Sequence, residues 1–477
     1  MTSKELTGRS AALLLIALVF ADITAAFETT MVFSALKSLI EEYGRPATVA
    51  WLLTAYTLMG AASAAICGRL GDIYGRRSML LVVLLLAGTG SVISAVSPNL
   101  EGVILGRFLQ GISGSILPLT LGLARQHLAA KLRPIGIAIV SSSSAAGAGL
   151  GMLVGGLLID NIGWRAIFWA SGAFLIMSLL SVVAWAPSSK RVSSDQRLDL
   201  MGGLLFVPAI AGVLLAISSG RTWDWDMRFW GLLAAACALL AFWARHELRH
   251  PNPLIEVRLL TDRRIALPNL AMALCALGAF QFPPLSLLLL QQPIWTGVGL
   301  GLSATVAGLL NLPGNFIAAA VSPISGWLCG RFGGARLIMG GMIIAALQIG
   351  LLLIYPSNLW LMAIAAITTG VGTAAVYVAV PALLVEVAPP GRTSETIGMY
   401  SVIRSLSMAV GTQSMLALLA SSTVSKTGHP SAAFPSLAAY QITLEFMGGA
   451  CVACVIAALF IVGVHAPARA PGPDVHG

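Results

Sequence analysis

Four ionisable residues sit where a chain this apolar has least reason to put them. Asp22, Glu28, Arg107 and Arg404 each fall inside a long run of Leu, Ala, Val, Ile and Gly. A charge in such a run is costly unless it pairs or lines a wet path, and the functions that retain it are proton relay, ion coupling and substrate recognition. If the first run is a helix entering from the N-terminal side, Glu28 lies about 12 Å below its outer end at 1.5 Å per residue. Arg107 lies about 10 Å below the outer end of its own run by the same rise. Their depths match, so Glu28 and Arg107 are the expected proton-coupling pair. Asp22 lies about 9 Å further in and is turned about 120° from Glu28 around the helix. Asp22 is therefore read as a second proton site or a contact for a substrate cation. Glu28 and Arg404 are also candidates to meet substrate.

The elements that must position these residues follow from length and hydropathy. A helix needs roughly 20 mostly apolar residues to cross the hydrocarbon core. On that rule, spans are expected near 10–36, 47–67, 78–97, 100–124, 133–159 and 164–187. Two more fall near 200–219 and 228–246, and six near 265–291, 303–328, 335–355, 358–385, 395–422 and 439–465. Lys4 and Arg9 precede the first run as in a signal peptide, but no cleavage site follows and the run continues past Asp22 and Glu28, so it reads as a retained span. A third acid within a span, Glu445, falls near the outer end of the last one.

Composition points the same way. The 477 residues are 57% hydrophobic and 10% charged, against roughly 25% charged in a soluble domain. Fifty glycines are scattered through the apolar runs, as in membrane helices whose backbones approach closely. The net charge of +9 lies in short stretches between spans, with no basic face for a phosphate backbone, so nucleic acid is not an expected partner. The outer set of Lys and Arg is limited to Lys37, Arg45, Arg165, Arg221, Arg228 and Lys426 if both termini are cytoplasmic. Apart from Arg107 and Arg404 the rest then lie inside, as the positive-inside rule requires. Cys451 and Cys454 form a CxxC inside a span-length run, which suits buried small residues better than zinc. The histidines stand at segment ends, in loops or in the tail, and no metal cluster is expected from them.

Two charged stretches, Ser188–Asp199 and Arg245–Arg264, bracket spans seven and eight. The second mixes charge with Leu254, Ile255, Val257, Leu259 and Leu260, and is expected to lie along the inner surface as an amphipathic helix. The expected fold is an all-α membrane protein. It has a six-helix bundle in 1–187, linkers and two inserted transmembrane helices in 188–264, a second six-helix bundle in 265–466 and a cytoplasmic tail in 467–477.

Local patterns carry more. After the second span the chain reads Gly68-Arg-Leu-Gly-Asp72-Ile-Tyr-Gly75-Arg76-Arg77. Gly68 and Gly75 permit tight helix ends, Asp72 can face a helix N-terminus or a basic residue, and Arg76 and Arg77 hold the loop inside. A degenerate copy, Gly326-Trp-Leu-Cys-Gly330-Arg331-Phe-Gly333, follows the tenth span with Gly330 in place of the acid, which indicates internal duplication. The fourth span carries Gly106-Arg107-Phe-Leu-Gln110-Gly111, and the fifth Gly147-Ala-Gly149-Leu-Gly151-Met152-Leu-Val-Gly155-Gly156.

These segments together resemble the signature loop, the arginine motif and the exporter-type glycine motif of the major facilitator superfamily. Met152 stands where that family usually has proline. Gly163-Trp164-Arg165 and Glu28-Thr-Thr30 resemble signatures of its fourteen-span drug:proton antiporters, with Glu28 for the usual Asp. The resemblance implies gating roles for Gly68, Asp72, Gly75, Arg76, Arg77, Gly147, Gly151, Gly155 and Gly156. It also implies alternating access, proton coupling and export of hydrophobic or cationic, amphipathic small molecules by a monomer among the lipids of the bacterial inner membrane. Lipid or glycolipid export and proton-coupled nutrient import remain open on the same scaffold. No cofactor is expected. Neither a GxSxG elbow nor a GxxxxGK[ST] phosphate loop is present, so an enzyme or a pump with its own nucleotide site is not expected.

Overall fold

In hydrocarbon every backbone N–H and C=O must bond within its own segment, and the apolar runs accordingly fold as helices. The structure, a computed structural model, describes residues 6–44, 46–188, 199–220, 223–250, 253, 256–355, 357–388, 393–426 and 429–465. The first half comprises α1 (Gly8–Tyr43), α2 (Pro46–Tyr74), α3 (Arg76–Val96), α4 (Leu100–Gln110), α5 (Ile116–His127), α6 (Arg133–Asn161) and α7 (Arg165–Trp185). The inserted pair is α8 (Leu200–Ser219) and α9 (Met227–Arg249). The second half comprises α10 (Arg263–Leu277), α11 (Phe282–Gln291), α12 (Ala304–Phe332), α13 (Gly334–Ile354), α14 (Leu359–Val387), α15 (Thr393–Leu419) and α16 (Leu437–His465).

Two spans are broken. A 3-10 turn at Gly111–Ser115 joins α4 to α5, and another at Ala279–Gln281 joins α10 to α11. Counting each broken pair once, 13 helices among the described residues are long and apolar enough to cross a membrane, and α8 adds a shorter apolar stretch, Met201–Ile217. The protein is an integral membrane protein of two six-helix bundles with two inserted helices. A short antiparallel hairpin, β1 (Thr423–Lys426) with β2 (His429–Pro435), links α15 to α16.

The expected amphipathic helix in 245–264 is not what forms. Helix α9 continues to Arg249, and a five-residue 3-10 turn, Val257–Thr261, follows with Leu259 buried. Pro251 and Pro253 deny the intervening sequence two backbone donors, which discourages a continuous helix.

The duplication is visible in backbone geometry. Gly75 turns α2 into α3 with φ 98° and ψ 126°. Gly333 turns α12 into α13 with φ 86° and ψ 145°. Both corners need a left-handed φ that a side chain opposes, which is why glycine recurs at the equivalent point of each half.

Away from these corners, the two halves meet. The end of α6 packs on the start of α12, where a Cβ on Gly156 would lie 2.5 Å from the Ala304 carbonyl oxygen. The start of α2 runs along the end of α15, with Thr54 hydrogen-bonded to Gln413. The hairpin touches α1 and α2 at this same end. Toward the corners, Gly326 and Gly330 face open space.

Within the first half, Gly147, Gly151 and Gly155 form a ridge at four-residue spacing. It seats on Ile23, Phe27 and Met31 of α1, at hypothetical Cβ to Cα distances of 2.8, 3.0 and 3.2 Å. A Gly147→Val substitution should therefore cost about 1–3 kcal/mol through overpacking, read as a lower melting temperature in detergent. Gly326→Ala, with no neighbour to meet, should leave the melting temperature unchanged.

Candidate functional site

A cavity of about 360 Å³ lies between the halves. Its walls are chiefly small and apolar side chains, with one acid and one base among them. Asp22 of α1 and Arg404 of α15 both line it, so each half supplies one charge. Along α1 the lining positions Asp22, Ala25, Ala26, Thr29 and Phe33 recur at three- and four-residue intervals, which is one helix face. Asp22 Oδ2 accepts from Ser143 Oγ at 2.9 Å and Ser144 Oγ at 2.5 Å on α6. Arg404 donates to the Tyr377 hydroxyl, and its guanidinium carbon stands 5.3 Å from the centre of that ring.

Glu28 lies on a different face of α1, about 120° around the helix from Asp22, and is completely enclosed. Its Oε1 accepts from Ser171 Oγ of α7 at 2.8 Å, Gln110 Nε2 of α4 at 3.2 Å and Ser91 Oγ of α3 at 3.4 Å. Its Oε2 is buried without a hydrogen-bond partner. Arg107 is equally enclosed. It donates from Nη1 to the Glu28 backbone carbonyl at 3.0 Å and to Gln110 Oε1 at 3.1 Å, and from Nε to the Leu52 carbonyl at 3.4 Å. Its guanidinium lies 4.2 Å from the centre of the Tyr56 ring, within cation–π range. Tyr56 closes the gap to the cavity, its hydroxyl bonding Ser113 at 2.8 Å and Thr29 at 2.9 Å.

Glu28 and Arg107 are thus brought together, but not as an ion pair. Among the described residues no salt bridge joins them. Gln110 stands between, giving its amide N–H to the carboxylate and its carbonyl to the guanidinium. Spacing alone could match the depths of Glu28 and Arg107, but nothing in it pointed to a neutral intermediary. Of the residues expected to meet substrate, Asp22 and Arg404 line the cavity and Glu28 does not. Glu445 of α16 is exposed and takes no part.

The residues expected to gate fall into separate places. Gly68 does not end a helix as expected but lies inside α2 with open space around it, whereas Gly75 makes the α2–α3 corner. Arg77 donates from Nη2 to the Val183 carbonyl at 2.8 Å, tying the corner to α7. The Arg76 side chain lies across Gly122 of α5, where a Cβ would meet it. The Asp72 side chain lies outside the described residues. On α6, Gly147, Gly151 and Gly155 face α1, whereas Gly156 faces α12 of the other half.

Sequence reading missed Asp160. Its two carboxylate oxygens accept from the backbone N–H groups of Ala304, at 3.1 Å, and Thr305, at 2.8 Å. One half thereby caps the N-terminus of a helix in the other. The run Gly155-Gly156-Leu-Leu-Ile-Asp160 held the signal, since a close-packing glycine face ends in an acid. It also passed over His246-Glu247-Leu248-Arg249-His250, which has His-Glu-x-x-His spacing. No cluster was expected among the histidines, yet these two meet Asp199.

Two helical bundles around a central cavity, each lining it with a charged side chain, are the architecture of a secondary transporter. The family model described as Major Facilitator Superfamily matches residues 18–199 and 200–412, and the chain belongs to that superfamily. It is 26% identical over 399 residues to an uncharacterised MFS-type transporter, YvkA, of Bacillus subtilis, covering 82% of this chain and 87% of that one. It is 29% identical over 383 residues to the multidrug resistance protein Stp of Mycobacterium tuberculosis, covering 78% and 68% respectively. Among solved structures it resembles a peptide transporter POT in complex with sulfate, with TM-score 0.67 and 14% identity over 97% of this chain and 96% of that one. It also resembles the xylose transporter XylE of E. coli in a partially occluded inward-open conformation, with TM-score 0.61 and 14% identity over 96% and 98%.

The Asp160 cap gives a direct test of where the halves hold together. Ser303 remains as the N-cap residue of α12, so Asp160→Ala removes only the two hydrogen bonds between the halves, worth about 1 kcal/mol or more, and should open this end more often. Spin labels at Asn161 and Thr305 should show a larger population at long distance in the variant than in the parent.

Proposed function

We propose that this protein is a proton-coupled exporter of hydrophobic or cationic, amphipathic small molecules that works by alternating access. The observation that carries the proposal is the placing of two buried carboxylates on different faces of α1, about 120° apart around the helix. Asp22 faces the cavity, and Glu28 is sealed behind it against Arg107. A cavity with many small apolar residues, one acid and one base suits an amphipathic small molecule, with Asp22 placed to meet a cationic group. The names of relatives support export: Stp is called a multidrug resistance protein, and a Streptomyces coelicolor relative, 29% identical over 320 residues, is called a probable actinorhodin transporter.

On this reading the distribution of Lys and Arg orients the corner end of the molecule, and both termini, to the cytoplasm of the bacterial inner membrane. The cavity then opens inward, and the contacts among α2, α6, α12 and α15 form the outer closure. Substrate enters from the inside or from the surrounding lipid and meets Asp22 and Arg404. When the halves rock to open outward, a proton reaches Glu28, and it leaves inward on return. Arg107 and Gln110 supply the switch. With Glu28 neutral, Arg107 rests on backbone carbonyls and Tyr56. With Glu28 charged, one rotamer change would bring its unpartnered Nη2 toward Oε2. Gly68, Asp72, Gly75, Arg76 and Arg77 govern the inner closure, and Gly147, Gly151, Gly155 and Gly156 set the helix contacts that move or stay. The protein functions as a monomer.

The assignments separate in variants. In proteoliposomes with an imposed pH gradient, Glu28→Gln should abolish substrate accumulation while leaving substrate affinity within a factor of two or so of the parent. Asp22→Asn should weaken binding of a cationic substrate by about tenfold, the equivalent of about 1.4 kcal/mol, with a smaller effect on a neutral one. Transport that persists in the parent after the proton gradient is collapsed with the membrane potential clamped would count against coupling altogether.

A further inference from the structure

Helix α8 begins where α9 ends, and the residues that meet there have no place in the cavity. Asp199 caps α8, with Oδ1 accepting from the Gly202 backbone N–H at 2.8 Å. Its side chain is only 3% exposed, so its other oxygen cannot simply be left to solvent. Two histidines at the end of α9, four residues apart, turn to that oxygen. His246 Nε2 lies 2.9 Å from Asp199 Oδ2 and 3.1 Å from Oδ1, and His250 Nδ1 lies 3.9 Å from Oδ2. The two imidazole rings are 5.3 Å apart. One nitrogen from each ring and one carboxylate oxygen all lie within 4.8 Å of one another.

Helix capping accounts for part of this. An N-cap aspartate and histidines in a final helical turn are each favourable with the helix dipole. Capping does not require two rings from one helix to converge on a single buried carboxylate of another. Metal binding does. Ligands at 2.0–2.2 Å from a tetrahedral ion stand roughly 3.3 Å from each other, and the separations from Oδ2 straddle that value. Two imidazoles at i and i+4 with a carboxylate from a second element form a donor set for zinc-class ions. The hydrogen bond from the Gly202 backbone N–H fixes the carboxylate, as an outer-shell partner does in known sites.

The same spacing in metallopeptidases uses the intervening glutamate as a general base on metal-bound water. Glu247 is not placed for that. It is buried, its Oε1 accepts from Trp243 Nε1 at 3.1 Å, and its carboxylate is not part of the cluster.

We propose that Asp199, His246 and His250 form a site for one divalent zinc-class cation, with a fourth position open to water, that clamps α8 to α9. The clamp has leverage on transport because α8 touches α2 of the first half and α15 of the second. A bound ion would stiffen the bridge across which the halves move.

The test uses the full-length chain, purified without a polyhistidine tag, stripped with chelator and held in nanodiscs. Cobalt(II) is titrated as a coloured probe and displaced with zinc(II). One cobalt per chain with a visible spectrum of low coordination number is expected. His250→Ala, and Asp199→Asn, which keeps a capping oxygen, should each lower affinity by at least about tenfold while eluting as a monodisperse peak. Absence of stoichiometric cobalt binding to the folded parent would overturn the site. So would unchanged affinity in His250→Ala, which would mean an adventitious ion on other side chains.

Discussion

The enclosure of Glu28 and Arg107 in one half-bundle constrains everything around them. An arginine at mid-membrane depth costs about 3 kcal/mol or more to insert, and a buried carboxylate is costly to leave unpaired. The first half meets that cost with short-chained polar residues at helix crossings: Ser91, Gln110, Ser171 and, through Tyr56, Ser113. These contacts bring α3, α4 and α7 around one side of α1. They leave α1 free to present its other side, with Asp22, to the cavity. On the proposed reading, one helix with two chemically different faces allows proton and substrate sites to be separate yet mechanically joined.

Helix α6 makes the complementary division. Its glycine ridge of 147, 151 and 155 packs on α1 over about two turns. Its other face, through Gly149, Met152 and Gly156, meets α12 across the boundary between halves. Glycine contacts allow close approach without interlocked side chains, and the Asp160 cap adds a polar latch that can open into water at modest cost. On the proposed reading, the first face transmits the state of Asp22 and Glu28, and the second is where the halves part.

Much of this was legible in the chain itself. Lipid-length runs specify helices because the hydrocarbon permits little else, and the corners at Gly75 and Gly333 are readable because only glycine takes that φ easily. Buried charges stand out against an apolar background, so Asp22, Glu28, Arg107 and Arg404 could be named. Partnership was less legible. Gln110 and Ser171 are ordinary in a sequence, and their roles come from side chains more than 60 residues apart meeting at one carboxylate. Asp160 looked like a helix-end acid until α12 supplied two amide groups. His246 and His250 had readable spacing, but their third partner lies in a stretch that reads as a linker. The amphipathic reading of 245–264 failed because it weighed hydrophobic pattern above the two prolines.

The account stands on Glu28 as the residue that carries the proton. Infrared difference spectroscopy on the purified protein, recorded as substrate binds, resolves the C=O stretch of a protonated carboxyl group from that of a carboxylate. The account predicts a protonated-carboxyl band that changes on substrate addition in the parent, disappears in Glu28→Gln and persists in Glu445→Gln. A band of unchanged intensity and response in Glu28→Gln would show that the proton resides elsewhere and would contradict the account.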